Sequence, residues 1–282
     1  TVVNSQAFIP TPGFSRLELG GLTIHLYALC ILLGIVAAIL LSHYRYSRRG
    51  GNPDEINQFA AAAIPAGIIG GRIYHVATSP DAYFGADGRA IDAFKIWQGG
   101  MGIWGAIAGG TLAVWLVHRK SNSDISFSQL ADVVAPGLFL AQAIGRWGNW
   151  FNGELFGRPT TLPWGLEIPF ENRPLALENF QTFHPTFLYE SLWCLVGAFI
   201  LMRTQWIRRL LGEASGQLFL AYIFIYTTGR IWIEALRVDS SHTVGGVRLN
   251  IWVCAFAIVA SLTALLRRRS VTAMDSDQNS LA

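Results

Sequence analysis

The sequence predicts an all-α polytopic membrane protein with seven transmembrane helices and a small extracytoplasmic cap. Of its 282 residues, 52% are hydrophobic and 14% are charged, whereas a soluble domain carries roughly 25% charged residues. The apolar residues fall in runs of about 18 to 23, long enough to cross roughly 30 Å of hydrocarbon. A formal charge of +3 gives no indication of nucleic-acid binding, and we expect none.

Seven apolar runs are predicted to span the membrane. The N-terminal stretch before the first run lacks the basic start and apolar middle of a cleaved signal peptide. We therefore expect the first span to act as the insertion signal. The predicted spans are 22–43, 56–78, 96–118, 130–147, 185–205, 217–236 and 249–266.

The basic residues orient these spans. Eleven of the 21 follow the odd-numbered spans: Arg45, Arg48, Arg49, Arg119, Lys120, Arg203, Arg208, Arg209, Arg267, Arg268 and Arg269. The opposite connections are acidic and carry fewer basic residues. The positive-inside rule then predicts a cytoplasmic C-terminus and an N-terminus outside, which agrees with an odd number of spans.

The whole chain, 1–282, is predicted to be a single integral membrane domain. Its one long connection, 150–184, is rich in proline and aromatic residues and is expected to form an extracytoplasmic cap, since long loops are often functional. The polar tail 270–282 is predicted to be disordered and cytoplasmic.

The segment 145–158 contains two arginines, two asparagines and a glutamate among glycines and aromatics, GRWGNWFNGELFGR. Ionisable groups at membrane depth cost free energy and therefore usually mark a site. Glycines let a backbone or a ligand approach closely. The alternative is a polar helix end whose arginines extend to the membrane surface.

A second polar group lies on the sixth span, where Tyr226, Arg230, Glu234 and Arg237 follow steps of four, four and three. At 100° per residue they form a stripe about 80° wide on one helix face. An arginine in mid-membrane costs roughly 2.5 to 3.5 kcal/mol, so these residues should face the protein interior or a wet cavity. A simple Arg230–Glu234 pair is the alternative, but it leaves Arg237 and Tyr226 without a role.

Guanidinium groups outnumber carboxylates on the outer half of the predicted bundle. The arginines are Arg72, Arg146, Arg158, Arg230 and Arg237, against Glu154, Glu190 and Glu234. Because guanidinium binds phosphate bidentately, a phospholipid headgroup is the natural ligand of such a cavity. A transporter or channel for an anionic solute or lipid is the alternative, since it would also hold polar residues inside the bundle.

Five segments together resemble a known family. The segment 145–158 resembles the signature of bacterial prolipoprotein diacylglyceryl transferases. Four further segments resemble its other motifs: 184–190 (HPTFLYE), 70–72 (GGR), 99–101 (GGM) and the spacing from Tyr226 to Asp239. Gly105 and Gly109 add a small-xxx-small step that favours close helix packing. The resemblance extends from about Leu22 to Arg268.

The resemblance implies a multi-pass protein of the bacterial cytoplasmic (inner) membrane with seven helices and the N-terminus outside. Members move the diacylglyceryl group of phosphatidylglycerol to the thiol of the lipobox cysteine in a prolipoprotein signal peptide. The products are a thioether and glycerol phosphate, and no cofactor or metal is used. The expected partners are therefore phosphatidylglycerol, lipobox-containing prolipoproteins and the lipid bilayer.

The resemblance also implies residue roles. Arg146 would hold the lipid headgroup, Arg230 would stabilise the departing phosphate, and Glu234 would orient Arg230. The expected catalytic residues are Arg146, Arg230, Glu154 and Tyr226. The expected substrate-binding residues are Arg146, Asn149, Asn152, Tyr27, Gly157, Glu234, Arg237 and Arg72.

One position departs from the family pattern. Many members have a histidine shortly after the Gly-Gly-Met motif, often proposed to activate the thiol, and Trp104 stands there in this chain. The group that takes the thiol proton is therefore open. Glu154, His25, His75 and a phosphate oxygen of the lipid are the alternatives.

Overall fold

The computed structural model describes residues 8–85, 88–121, 123–203, 215–239 and 241–280. The chain forms two compact units, and the single integral membrane domain expected from the sequence stays a prediction. The larger unit comprises 1–41 and 131–282, and the smaller unit comprises 42–130.

The described residues are mostly helical. Their α-helices are α1 (Leu26–Ser47), α2 (Asp54–Thr78), α3 (Asp81–Phe84), α4 (Ile103–Lys120), α5 (Phe127–Asn152), α6 (Thr186–Met202), α7 (Gln217–Leu236) and α8 (Leu249–Ser280). All except the short α3 coincide with a predicted span. Within the described residues, four segments are long and apolar enough to cross a membrane: Leu26–Ser47, Asp54–Thr78, Phe127–Asn152 and Leu249–Arg268. Thr186–Met202 is apolar but shorter.

Several helix ends differ from the predicted spans. α1 begins four residues late because Leu22–His25 forms a strand that pairs with Arg16–Leu19. α4 begins at Ile103 because Gly99 and Gly100 have φ values of +84° and +74°, outside the right-handed helical region. The predicted end of the fifth span, at 205, lies outside the described residues.

The end of α8 also differs from the prediction. α8 continues to Ser280, whereas the sequence predicts a disordered tail over 270–282. The apolar part of α8 supplies a helical nucleus from which further turns propagate at little cost.

Short strands, which the sequence does not predict, lie before α1, between α5 and α6, and between α7 and α8. They are β1 (Ile9–Pro10), β2 (Arg16–Leu19), β3 (Leu22–His25), β4 (Leu166–Glu167), β5 (Thr182–Phe183), β6 (Thr243–Val244) and β7 (Val247–Arg248). One sheet has the order β1-β4-β5, with β1 parallel and β5 antiparallel to β4. β2–β3 and β6–β7 are antiparallel pairs.

The chain between α5 and α6 folds around its own apolar cluster, in the region predicted as a cap. The cluster consists of Phe156, Leu166, Ile168, Phe183 and Phe187. β1 extends the cap sheet, and the indole of Trp150 donates a hydrogen bond of 2.9 Å to the carbonyl of Pro10. The position of this cap outside the membrane stays a prediction.

The core of the larger unit lies among α5, α6 and α7. Its buried residues are Ala135, Phe139, Ala143, Cys194, Ala198, Leu201, Leu218 and Ala221. Phe139 packs so closely on α6 that a Cβ at Gly197 would lie 2.7 Å from its ring. The indole of Trp193 ties α6 to α7 by donating a 2.8 Å hydrogen bond to the carbonyl of Ile225. These contacts bring the polar positions of the three helices together.

The smaller unit is built on close packing of α2 against α4, as the small-xxx-small spacing predicts. A Cβ at Gly109 would lie 2.5 Å from the carbonyl oxygen of Ala66. Glycine at this contact therefore lets the two backbones touch. Two 3₁₀ turns, Ala90–Phe94 and Ile96–Gln98, precede α4.

Candidate active site

The polar stripe on α7 forms as the sequence predicts. Arg230 and Glu234 lie one turn apart and make an ion pair with an Nη2–Oε2 distance of 2.7 Å. Arg237 caps the C-terminal end of α7, with its N–H 3.3 Å from the carbonyl of Glu234. The Arg230–Glu234 pair is therefore present, but it belongs to a larger network.

A glutamate on α6 joins this stripe to α5. Oε1 of Glu190 lies 2.6 Å from Nη2 of Arg146, and Oε2 lies 2.8 Å from Nη1 of Arg230. The hydroxyl of Tyr226 lies 3.5 Å from Oε1 of the same carboxylate. We call Arg146, Glu190 and Arg230 the Glu190 triad. It brings two arginines from different helices onto one anion.

A second cluster adjoins the triad through Glu234. We call Glu234, Arg237, Asp239 and Arg248 the Glu234 ring. Oε1 of Glu234 accepts hydrogen bonds from Arg248 at 2.8 Å and Asn250 at 3.2 Å. Arg237 binds both oxygens of Asp239, at 2.7 and 2.8 Å, and Arg248 reaches the same carboxylate at 3.0 Å. Each arginine of the ring therefore contacts both carboxylates.

The net positive charge of this network lies in the triad. The ring has two guanidinium groups and two carboxylates, whereas the triad has two guanidinium groups and one carboxylate. Its accessible end is Arg146, whose side chain is 22% exposed against 12% for Arg230 and 5% for Glu190. Arg146 is therefore the most exposed side chain of the triad.

Asp239 is ionised by its arginine partners. Burial alone would raise its pKa, but the hydrogen bonds and charges of Arg237 and Arg248 outweigh burial and hold the pKa below its usual value. These two arginines therefore favour the ionised form of Asp239.

A chain of amides leads from Arg146 to Glu154. Nη1 of Arg146 donates to Asn149 at 3.3 Å, and the amide nitrogens of Asn149 and Asn152 donate to Oε1 of Glu154 at 2.9 and 3.2 Å. A cavity of about 410 Å³ lies beside this carboxylate, lined also by Leu155, Asn172 and Asp239 among others. Leu155 has φ +58°, which a non-glycine residue rarely adopts.

Tyr27 and Gly157, also predicted site residues, belong to the larger unit. Tyr27 packs on α5, where a Cβ at Gly148 would lie 2.7 Å from its ring. Gly157 forms a β-bridge with Arg237, and a Cβ there would lie 2.8 Å from Cβ of His184. Gly157 therefore lets the chain pass closely between the cap and the end of α7.

Arg72 belongs to the smaller unit, where it binds main-chain carbonyls. Its guanidinium donates to the carbonyls of Ala93, Gly99 and Gly100 at 2.8, 2.5 and 2.9 Å, and to that of Asp92. It also lies 5.1 Å from the centre of the Tyr83 ring. These contacts hold the segment before α4 against α2.

The alternatives for the thiol base have different surroundings. Nδ1 of His75 lies 2.9 Å from the hydroxyl of Tyr83 in the smaller unit. His25 is exposed at the end of β3, and Glu154 is engaged by the two asparagines. The described residues contain no group of three or more His, Cys, Asp or Glu side chains arranged to hold a metal ion.

Two site residues are absent from the predicted set. Glu190 is an acid near the start of an otherwise apolar span, and that position signals a functional residue. Arg248 stands directly before the last span on the predicted outer side, where the positive-inside rule disfavours a basic residue. Neither signal alone identifies the partners that the structure gives these side chains.

The described part of the chain is mostly helical, with four apolar segments long enough to cross a membrane, and it contains a cluster of arginines and carboxylates on α5, α6 and α7. A family model for prolipoprotein diacylglyceryl transferase matches residues 15–267. The chain belongs to this family.

Curated relatives agree with the family match. A phosphatidylglycerol–prolipoprotein diacylglyceryl transferase of Cutibacterium acnes is 53% identical over 246 residues, covering 87% of this chain and 81% of the relative. Relatives with the same printed name occur in Streptomyces coelicolor (numbered 2 there) and Bifidobacterium adolescentis. They are 47% and 45% identical, and each alignment covers 92% of this chain and 80% of the relative.

Proposed function

We propose that this protein transfers the diacylglyceryl group of phosphatidylglycerol to the lipobox cysteine of prolipoproteins, the first step of lipoprotein maturation. In this reaction the cysteine sulfur bonds to the glyceryl carbon as the bond from that carbon to the phosphate oxygen breaks. The thiol proton is released to a base, and glycerol phosphate leaves. The names of the relatives and the match to the family support this substrate pair.

The Glu190 triad is the observation that carries the proposal. Two guanidinium groups from α5 and α7 approach the two oxygens of one carboxylate at 2.6 and 2.8 Å. A phosphodiester presents two anionic oxygens in a similar way, and guanidinium binds such pairs well. Because the triad is positive as a whole, it suits a lipid that carries one negative phosphate.

Arg146 and Arg230 have different roles in this proposal. Arg146, the more exposed, binds the headgroup, and Arg230 stabilises the phosphate as it departs. Asn149, Asn152 and Glu154 hydrogen-bond the glycerol hydroxyls, with help from Tyr226 and Tyr27. Glu234 orients Arg230 through their 2.7 Å ion pair.

Three predicted binding residues receive supporting roles. Arg237 is engaged by Asp239, and Arg72 by main-chain carbonyls. Gly157 leaves room for the chain beside His184. We therefore propose that these three shape the protein around the substrate without binding it directly.

We further propose that the chain crosses the bacterial cytoplasmic membrane seven times, with the N-terminus outside and the C-terminus inside. The seven helices that coincide with predicted spans and the distribution of basic residues support this topology. The cap would then lie on the outer side, where secreted precursors carry their lipobox.

The proton acceptor remains one of four groups, because Trp104 replaces the expected histidine. The pH dependence of the rate distinguishes two of them directly. If Glu154 is the base, Glu154→Gln abolishes the limb of the pH–rate profile that reports the base, and His75→Ala leaves that limb in place. If His75 is the base, the two results are reversed.

The whole proposal is tested with the purified full-length protein in liposomes containing phosphatidylglycerol and a lipobox peptide. Transfer adds the diacylglyceryl mass to the cysteine. We expect Arg146→Ala and Arg230→Ala to lose at least about a hundredfold in rate, the usual scale for removing a charge that stabilises a transition state. Arg173→Gln is the matched control, because the hydrogen bonds of Arg173 go to main-chain carbonyls within the cap.

Two outcomes count against the proposal. Wild-type transfer by either arginine variant would contradict the role given to that arginine, and no transfer by the wild-type protein would contradict the proposed reaction. Flux of an anionic solute or lipid in the same liposomes, without modification of the peptide, would favour a transporter or channel.

A further inference from the structure

Arg248 binds the protein with every nitrogen of its guanidinium. Nε donates to Glu234 at 2.8 Å and Nη2 to Asp239 at 3.0 Å. Nη1 donates to the carbonyls of Arg237 and Asp239 at 3.2 and 2.9 Å. Its action on a ligand must therefore pass through these partners.

The β6–β7 hairpin holds Arg248 in this position. Gly245 and Gly246 form its turn with φ values of +60° and +77°, as a tight hairpin turn requires. Arg248 ends β7, and α8 begins at Leu249, whose N–H donates to the carbonyl of His242 at 2.9 Å. β7 before Arg248 and α8 after it therefore fix the backbone from which the guanidinium extends.

Arg248 is the closer of the two ring arginines to Glu234. Its Nε lies 2.8 Å from Oε1 of Glu234. Nη1 of Arg237 lies 3.7 Å from Oε2, because the guanidinium of Arg237 is directed to Asp239. Glu234 in turn lies 2.7 Å from Arg230, the arginine that the triad shares with it. Arg248 therefore offsets the carboxylate that competes for Arg230.

The charge balance of the network depends on this contact. Triad and ring together have four guanidinium groups and three carboxylates, so removing Arg248 would leave them neutral. Charges interact strongly in a buried site, where the effective dielectric constant is low. Without Arg248, the negative charge of Glu234 would fall more fully on Arg230 and weaken its attraction for a phosphate.

We propose that Arg248 is a positioning residue for anionic lipid, which neutralises Glu234 and thereby keeps Arg230 available to the lipid phosphate. This assignment rests on the proposed function, since it takes phosphatidylglycerol as the ligand of the Glu190 triad. It concerns affinity for the lipid more than the chemical step.

The test compares Arg248→Gln, Arg248→Lys and the double variant Arg248→Gln/Glu234→Gln with the wild-type full chain. The double variant removes one positive and one negative charge and so restores the balance. KM for phosphatidylglycerol and kcat are measured at saturating lipobox peptide. Binding of short-chain phosphatidylglycerol is measured separately by calorimetry, with phosphatidylcholine as the control lipid.

We expect Arg248→Gln to raise KM for phosphatidylglycerol about tenfold with little change in kcat. This is the result for a substitution that weakens binding of the ground state and of the transition state equally. Arg248→Lys keeps the positive charge that offsets Glu234 and should stay within about threefold of the wild type, because the proposed effect depends on that charge. The double variant should recover at least about threefold of the loss in lipid affinity measured by calorimetry, because it restores the charge balance. Its kcat is not expected to recover, because Glu234 also orients Arg230.

A wild-type KM in Arg248→Gln, a loss in Arg248→Lys as large as in Arg248→Gln, or no recovery in the double variant would each overturn the proposal. Gel filtration and thermal melting show whether Arg248→Gln folds. If it does not, the proposal is judged on Arg248→Lys and the double variant. A lipid affinity more than about threefold weaker than that of the wild type in either variant then overturns it. If the wild type binds the lipid but transfers nothing, the proposed function fails, and Arg248 is judged on binding alone.

Discussion

Glu190 on α6 holds Arg230 on α7 at 2.8 Å, and its other oxygen holds Arg146 on α5 at 2.6 Å. Three helices thus meet at one buried carboxylate. Removing one partner of a buried ion pair is costly because it leaves uncompensated charge. Glu190 therefore determines both the stability of this part of the fold and the spacing of the two arginines.

Glu190→Gln should lower the free energy of unfolding on the order of 3 kcal/mol and reduce transfer at least tenfold. Phosphatidylglycerol should raise the melting temperature of this variant more than that of the wild type, because its phosphate supplies the missing anion. Thermal unfolding in detergent with and without the lipid measures both effects. Equal or smaller stabilisation of the variant would contradict a phosphate site at the triad.

Gly70→Ala should destabilise the smaller unit by about 1 to 3 kcal/mol through overpacking. A Cβ at this position on α2 would meet the carbonyl group of Gly105 on α4, with its carbon at 3.2 Å. Gly67→Ala is the matched control, because its Cβ would lie 3.4 Å from the carbonyl oxygen of Ala106, an ordinary contact. Melting temperatures that do not separate the two variants would argue against backbone contact between these helices.

Arg72→Lys should expose the chain before α4 to protease. A lysine keeps the charge but not the planar fork that reaches the carbonyls of Ala93, Gly99 and Gly100 together. We expect trypsin to cleave at Lys95 several-fold faster, as local unfolding becomes easier. A variant that resists trypsin like the wild type but loses affinity for lipid would instead make Arg72 a direct ligand.

His184 should make stability depend on pH. Burial, and then the charge of Arg158, lowers its pKa, so the folded protein favours the neutral ring. The unfolded chain gains its proton near pH 6.5, so stability should fall as pH decreases from that value toward the lower folded pKa. Melting temperatures between pH 7.5 and about 5 should decline less steeply in His184→Asn, and identical slopes would contradict this.

The helices and the α7 stripe were predictable because their patterns are local. Arg230 and Glu234 share a face by spacing alone, and an apolar run limits where a helix can lie. The start of α4 was not predictable from hydropathy, because it depends on the positive φ values of Gly99 and Gly100. Hydrophobic side chains around Ile96 continue the run while the backbone leaves the helix.

Long-range partners account for most of what the sequence does not reveal. Arg248 on β7 and Glu234 on α7 are 14 residues apart, and only the folded chain brings them together. Glu190 is 40 residues from Arg230. Composition indicates an excess of guanidinium, but not which arginines are already paired with carboxylates.

The parallel pairing of β1 with β4 bears on how the protein is made. Thr11, next to β1, donates its hydroxyl hydrogen bond to the carbonyl of Glu167, 156 residues further along the chain. A ribosome must therefore translate more than half of the polypeptide before β1 can find its neighbour. β1 therefore stays without its sheet partner until β4 has been synthesised, and a bulky insertion beside β1 would obstruct closure of the cap sheet.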